Sequence, residues 1–416
     1  LYRFCSTYGG GADGWQVWVD MKQLWTVFLT SFRLGLTSFG GPVAHLGYFE
    51  RTYVEQRRWL SLEDYSQMVA LCQLLPGPTS SQVNFLVGLQ RAGWPGAVLS
   101  WAGFTLPSAL FLYVCAVFAP HTNGPLIVAA LHGLKLVAVA VVAQAVWSMA
   151  VRLCPDRGRT GIALAGMAVI LLVGGAFSQV GVIVLGALAG LWMCRGVGQQ
   201  SGNQPSVLGR RSGWIALALF CLLLAGLPAL AVLIPDRLVS LMDLSYRSGA
   251  LVFGGGHVVL PLLRDAMVPA GMLSDDTFLA GYGVVQAVPG PLFTLSAYLG
   301  ATAAPPGTSS LLWAATALVG IFLPGMLAAV AGVPLWQWLS KHPAAQGALA
   351  GINASVVGIL GAALYDPVWQ TAVLGNTDVV IAATGFFLLE RWKVPPIAIV
   401  ALCLGASIPV GLATSP

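Results

Sequence analysis

The sequence predicts an all-α polytopic membrane protein in which two homologous halves form an inverted-topology repeat with broken, re-entrant helices. Three observations predict this: a composition too apolar for a soluble domain, apolar runs of bilayer length, and a collinear internal repeat whose loop charges reverse between copies.

Of 416 residues, 57% are hydrophobic and 8% charged, and the mean hydropathy is +0.80. Soluble domains carry about 45–50% apolar and about 25% charged residues, so that class is excluded. Runs at 125–150, 214–234, 309–333 and 397–413 approach or exceed the roughly 17–25 apolar residues that cross a bilayer as helix. Helix is the predicted form because lipid supplies no water to satisfy open strand edges. Residues 1–20 hold Arg3, Gly9, Gly10, Gly11 and Asp13 without an apolar core or a small-residue cleavage pattern. They are expected to be a tail and not a signal peptide, with the first hydrophobic segment acting as the insertion signal. The net charge of +5 is dispersed between apolar segments, which predicts a lipid-bilayer setting and no nucleic-acid partner. The seven cysteines lack a C-x-x-C spacing and lie in or beside apolar runs, so no disulfide framework, metal site or cofactor is expected.

The repeat is carried by short blocks in the same order. Ser31-Phe32-Arg33-Leu34-Gly35 returns as Ser245-Tyr246-Arg247-Ser248-Gly249, and Phe39-Gly40-Gly41 as Phe253-Gly254-Gly255, both displaced by 214 positions. Gln73-Leu74-Leu75-Pro76-Gly77-Pro78 returns as Gln286-Ala287-Val288-Pro289-Gly290-Pro291, displaced by 213. Gly103 to Pro107 then matches Gly320 to Pro324, and Gly133 with Lys135 falls opposite Gly351 with Asn353. Self-similarity in a collinear series marks a duplicated unit.

The expected order is a tail (1–21), a first repeat (22–194), a cytoplasmic linker rich in Gly, Ser, Gln and Asn (195–212), a linking transmembrane helix (213–236) and a second repeat (237–416). One spanning helix between two copies inverts the second. Loop charges test this, because positive residues near segment ends favour the cytoplasm. Residues 50–64 carry Arg51, Arg57 and Arg58, whereas 264–276 sets one arginine against Asp265, Asp275 and Asp276. Residues 152–159 hold three arginines and 366–378 none. The opposite loops reverse: 121–124 has no Lys or Arg against Lys341 in 335–343, and Ser178-Gln179 stands against Arg391 and Lys393. Simple alternation of spans would put Arg57 outside if Lys22 is inside. Hairpins turning at Gly40-Gly41-Pro42 and at Pro76-Gly77-Pro78 resolve this. They leave Lys22, Arg57 and Arg91 inside, Arg237 and Arg264 outside, and Arg33, Lys135 and Arg247 within the membrane. A cytoplasmic N-terminus and a periplasmic C-terminus follow.

Gly- or Pro-interrupted segments at matching places in two halves point to a transporter's binding site, since non-helical backbone at membrane depth survives only under protein or beside a water-filled cavity. Gly40, Gly41 and Pro42, with Gly254 and Gly255, open one pair of half-helix N-termini. Pro76, Gly77 and Pro78, with Pro289, Gly290 and Pro291, open another. Each offers free N–H groups and a positive dipole end to an anion; the alternative is that Gly and Pro simply kink these helices. Arg33 and Arg247 precede the Phe-Gly-Gly breaks by six residues, about 9 Å along a helix. An unpaired arginine at mid-bilayer costs roughly 2.5–3.5 kcal/mol. Neither segment is read as supplying an acidic partner, so a tetrahedral dianion fitting the guanidinium fork is the expected one, with snorkelling as the alternative. Lys135 lies ten residues into an apolar run and is a ligand or gating candidate. Gln73 and Gln286 precede the Pro-Gly-Pro turns by the same spacing and are assigned binding roles; Asn84 and Asn353 are further polar candidates. His45, His132 and His257 are proton-relay candidates, with simple packing as the alternative.

Phe39-Gly40-Gly41-Pro42-Val43-Ala44-His45, Gln73 to Pro78, Phe253-Gly254-Gly255-Gly256-His257 and Gln286 to Pro291 resemble the chromate ion transporter family over nearly the whole chain. The form is similar to the long, two-domain type. The resemblance implies a bacterial inner-membrane exporter of chromate that confers chromate resistance, with sulfate as competitor and no enzymatic activity; a homodimer is left open. It places Arg33, Gly40, Gly41, Pro42, Pro76, Gly77 and Pro78 on first-half motif positions. Gly256 stands in place of Pro42 and Val259 in place of His45, so the halves are expected to have specialised. Moving a dianion out of a cell held at about 100 mV inside-negative is favoured by roughly 4.6 kcal/mol, about three decades of gradient. Export therefore needs no proton coupling, although a proton gradient is a second allowed drive. The few membrane-embedded carboxylates argue against a proton-coupled importer. The alternatives are a sulfate-like anion transporter, a passive anion channel and a membrane-embedded enzyme. The last would need a His–carboxylate or nucleophile–base pair, and none is repeated or clustered.

Overall fold

The computed structural model describes residues 3–6, 17–38, 41–118, 125–173, 176–194, 208–253, 258–339 and 342–414. The linker at 195–207, Phe39 and Gly40, and 254–257 lie outside the described residues. A short antiparallel ribbon, β1 (Arg3–Ser6) with β2 (Val17–Asp20), was not anticipated in the tail and leads into an all-α body.

The first half runs α1 (Met21–Thr37), α2 (Gly41–Phe49) continued by a π-helical turn (Glu50–Gln56), α3 (Leu62–Leu74), α4 (Thr79–Phe118), α5 (Pro125–Leu153), α6 (Arg157–Val173) and α7 (Ala176–Met193). α8 (Arg210–Leu233) links the halves. The second half runs α9 (Arg237–Ala250), α10 (Val259–Met267), α11 (Asp275–Gln286), a 3₁₀ turn (Leu292–Thr294), α12 (Leu295–Ala303), α13 (Ser310–Leu339), α14 (Pro343–Ala363) with a π-helical continuation (Leu364–Trp369), α15 (Gln370–Ala372), α16 (Asn376–Glu390) and α17 (Pro396–Thr414). Five helices among the described residues are long and apolar enough to cross a membrane. α5, α8, α13 and α17 coincide with the apolar runs read from the sequence.

Equivalent residues do equivalent local work in both halves. Ser61 caps α3 by accepting from the Asp64 N–H, and Ser274 caps α11 by accepting from Thr277, each satisfying a first-turn donor that has no helical partner. α4 breaks at Gly93, whose φ of 62° lies in the left-handed region, with Pro95 just beyond. The result is two arms, 79–91 and 94–118.

Small residues set the helix contacts. A side-chain carbon at Gly35 would sit 2.6 Å from the Phe104 carbonyl oxygen, and one at Gly103 would sit 2.7 Å from that of Phe28, so α1 lies directly on the second arm of α4. Gly249 against the Ile321 carbonyl and Gly320 against Ser245 repeat this contact between α9 and α13. Close glycine contact is the usual means of association where lipid removes the hydrophobic drive between helices. The remaining helices interlock across the halves: Gly133 of α5 packs on Cys403 of α17, and Gly351 of α14 on Gly186 and Gly190 of α7.

Both hairpins return to the end they started from. Gln23 near the start of α1 donates to the Arg91 carbonyl at the kink of α4 (2.6 Å), and the Arg91 guanidinium lies 5.6 Å over Trp59, which follows the π-helical turn. In the second half Arg237, at the start of α9, donates to the Gly271 carbonyl beyond α10 (3.0 Å). Tyr113, toward the far end of α4, meets Ser310 at the start of α13 (3.0 Å). The second arm of α4 is about 37 Å long at 1.5 Å per residue, so these two ends are opposite faces of the bundle.

Candidate functional site

The two Pro-Gly-Pro turns are each seated in the opposite half. Gly77 has φ of 117° and Gly290 of 102°, conformations that side-chain-bearing residues rarely adopt. The Gly77 N–H donates to the Val252 carbonyl (2.7 Å), and the Gly290 N–H donates to the Ser38 carbonyl (2.9 Å). Ser38 and Val252 are themselves repeat equivalents, 214 positions apart. Space is equally reciprocal: a side-chain carbon at Gly77 would lie 2.6 Å from Cα of Gly325, and one at Gly290 would lie 2.8 Å from Oγ of Ser108. Gln82 Nε2 then ties the first turn across the halves, donating to the carbonyls of Pro76 and Gly325 (both 2.8 Å).

Around the first turn the interior is polar. His45 is buried, with Nδ1 3.3 Å from Ser80 Oγ and its ring edge-on to Phe104. Beside it Ser31, Tyr53, Asn84 and Ser100 form one network. Tyr53 OH donates to Asn84 Oδ1 (2.5 Å), Asn84 Nδ2 to the Ser100 carbonyl (2.8 Å), and Ser31 and Ser100 share a hydrogen bond of 2.9 Å. The positions matching Asn84 and Ser100 in the second half are Ala297 and Ala317. Ser245, the counterpart of Ser31, is left with a buried hydroxyl that has no partner among the described residues.

The sequence-predicted residues fall into three groups. Gly41 (φ 77°) opens α2 as the break predicts, and Pro42 lies in its first turn; Gly40, Gly254, Gly255 and His257 lie outside the described residues. Pro76, Gly77 and Pro78, and Pro289, Gly290 and Pro291, form two turns that each seat in the opposite half. The cations have separate surroundings. Arg33 is exposed on α1, on a stripe with Trp25, Leu29 and Leu36 that faces away from α4, and its guanidinium has no hydrogen-bond or ion-pair partner among the described residues. Arg247 corrects the expectation of a missing acidic partner. Asp243, one turn earlier, accepts from Nε (2.9 Å) and Nη2 (2.5 Å), and it is 4% exposed. The position matching Asp243 in the first half is Leu29.

Lys135 is likewise paired, with Asp276 at the start of α11, and so is engaged by a carboxylate. His132 contacts Asp378 (2.9 Å), which also accepts from the N–H groups of Leu374 and Gly375 ahead of α16. Buried Asp243 and Asp378 thus qualify the reading of few embedded carboxylates. Gln73 is exposed, whereas Gln286 is 8% exposed with Nε2 unpartnered, so the two glutamines do not share an environment. Asn353 is buried in α14. Sequence reading took Arg264 and Gln179 only as loop residues and missed their pairing: Arg264 grips Asp275 at two points (2.8 and 3.1 Å) and reaches Asp265, and Gln179 donates to Asp265. The i, i+4 spacing of Asp243 and Arg247 could have been read; the 141-residue separation of Lys135 and Asp276 could not.

A family model described as chromate transporter matches residues 25–191 and, separately, 239–408. The chain is 26% identical over 391 residues to a chromate transport protein of Pseudomonas aeruginosa, covering 90% of this chain and 88% of the relative. It is 28% identical over 405 residues to a chromate transport protein of Cupriavidus metallidurans, covering 95% and 94%. It is 27% identical over 358 residues to a probable chromate transport protein of Synechococcus elongatus, covering 83% and 84%. No solved structure matches the chain.

Proposed function

Because this chain belongs to the chromate transporter family, we propose that it exports chromate across a bacterial inner membrane and so confers resistance to it, driven by the membrane potential, the proton gradient or both. The observation that carries this reading is the separate family match to each half, together with relatives of nearly the same length named for chromate transport. The direction rests on energetics: outward movement of a dianion is favoured by roughly 4.6 kcal/mol at about 100 mV inside-negative.

The second half is inverted relative to the first, with the N-terminus cytoplasmic and the C-terminus periplasmic. Support comes from the reversed loop charges, the single helix α8 between the copies, and the reciprocal bonds from Gly77 to Val252 and from Gly290 to Ser38. The turns of 76–78 and 289–291 form the substrate region, and Arg33 and Arg247 supply positive charge along the route.

Uptake of labelled chromate into everted membrane vesicles tests this, with sulfate as competitor and Arg33→Ala and Arg247→Ala alongside wild type. Accumulation by wild type, lost in either variant at unchanged protein level, supports the exporter with its arginines. Accumulation of sulfate alone replaces the substrate; movement of neither ion removes the transport reading.

A further inference from the structure

The halves are similar in backbone, yet their centres differ in chemistry. Three hydroxyls of the first half, those of Ser38, Ser81 and Thr105, are each 0% exposed and have no hydrogen-bond partner among the described residues. Buried polar groups are normally paired, and an orphan in a native interior calls for an explanation. Their repeat equivalents are Val252, Thr294 and Phe322. Two of these carry no hydroxyl, and Thr294 Oγ1 is already committed to the Pro291 carbonyl (2.7 Å).

Hydrogen bonds and packing link the three hydroxyls through neighbouring residues. Ser38 accepts the Gly290 N–H through its carbonyl. Gly290 packs on Ser108, whose Oγ donates to the Thr105 carbonyl (3.1 Å). Ser81 belongs to the first turn of α4 beside Ser80, which meets His45, and His45 meets Phe104 next to Thr105. The first-turn N–H groups of α4 point the same way along the helix axis and have no intrahelical partners. Hydroxyl and backbone donors of this kind bind an oxyanion without an added cation, by replacing its hydration shell with fixed dipoles.

We propose that the substrate anion is bound in the first half only, by a neutral donor cage made of the Ser38, Ser81 and Thr105 hydroxyls and the N-terminus of α4, while the second Pro-Gly-Pro turn closes that cage without binding a second anion. The proposal rests on the anion-transport reading and deepens it: one tetrahedral oxyanion is held per chain, dehydrated and with no guanidinium among its ligands. The polar first half and the apolar counterparts Val252 and Phe322 then reflect a division of labour after duplication.

The test is everted-vesicle uptake of chromate and of sulfate by Ser38→Ala, Ser81→Ala and Thr105→Val, with Ser245→Ala as control, since Ser245 is an equally buried, equally orphaned hydroxyl of the second half. Loss of a donor to a charged ligand raises KM between roughly ten- and a hundred-fold. That rise is expected in the three first-half variants at unchanged protein level, with Ser245→Ala within about two-fold of wild type. Wild-type KM in the three variants, or an equal rise in Ser245→Ala, overturns the cage. Thermal stabilisation of the purified protein by chromate or sulfate separates this from the transport reading. If wild type binds but does not transport and the three variants bind weakly, the cage stands and the transport reading falls; if neither ion stabilises wild type, or all variants respond as wild type does, the cage is wrong.

Discussion

The backbone N–H of Gly77 donates to the carbonyl of Val252 across the boundary between the halves, at 2.7 Å. Its counterpart runs from Gly290 to Ser38, so each half supplies the end of its first helix as the seat for the other's turn. A turn gripped in this way cannot move independently of the opposite half. That couples the broken segments to any relative motion of the two units, the kind of motion by which alternating access works.

Gly77→Ala is expected to destabilise the protein by about 2–4 kcal/mol, from a positive φ and from overpacking against backbone at Gly325. Gly290→Ala should be milder, because the obstructing atom is the Ser108 side chain. Adding Ser108→Gly, which copies the second-half arrangement, should recover the part of that loss due to the clash, while the strain of the positive φ remains. Thermal denaturation in detergent measures all three; a Gly77→Ala variant as stable as wild type would show that the turn is not held as described.

Arg247 and Arg33 are repeat equivalents with different partners, which makes them separable. Asp243→Asn removes the buried carboxylate from Arg247 and is expected to cost about 1–3 kcal/mol, given that the Arg247 side chain is 43% exposed. Leu29→Asp places a carboxylate at the same spacing from Arg33. If Arg33 serves the anion, chromate uptake should fall at least ten-fold with protein level unchanged; unaltered uptake would assign Arg33 to the outer surface of α1 alone.

The bundle was legible because lipid restricts the chain to helices, and apolar length then locates α5, α8, α13 and α17 to within about six residues at each end. The breaks were legible because Gly41, Gly77 and Gly290 occupy backbone conformations that favour glycine. The partners of the polar residues were not. Lys135 meets Asp276, and Gln179 meets Asp265, only through packing of α5 on α11 and of α7 on α10, for which no local pattern exists. Nor could the fates of Gln73 and Gln286 be told apart from identical spacing, since burial is a property of the assembled turn.

The Lys135–Asp276 pair ties α5 to the helix that leads into the second turn. Its energetic worth is small, about 0.2–1 kcal/mol in a double-mutant cycle, because the Asp276 side chain is 76% exposed. Its mechanical effect is testable by a Lys135→Cys, Asp276→Cys double variant. Oxidation should block chromate uptake and reduction should restore it if α11 moves relative to α5 during transport. Full uptake in the cross-linked state would show that these helices travel as one body.

The hairpin geometry makes a claim about sidedness. Trp59 lies against Arg91 near the start of α1, and Gly271 against Arg237 at the start of α9, so the loops at Arg57 and Ala270 each lie at the starting end of their own half. In the inverted arrangement proposed above, with one helix, α8, carrying the chain from one copy to the next, those starting ends face opposite compartments. Arg57→Cys should therefore react with an impermeant maleimide in everted vesicles and be protected in intact spheroplasts, and Ala270→Cys should do the reverse, each read against the wild-type cysteine background. Both positions are exposed, so absence of reaction on one side reports the barrier and not burial. Reaction of both from the same side would remove the inversion, and with it the argument that the charge reversal between 50–64 and 264–276 reflects opposite orientation; reaction of Arg57→Cys from outside would convert the first hairpin into a single full crossing.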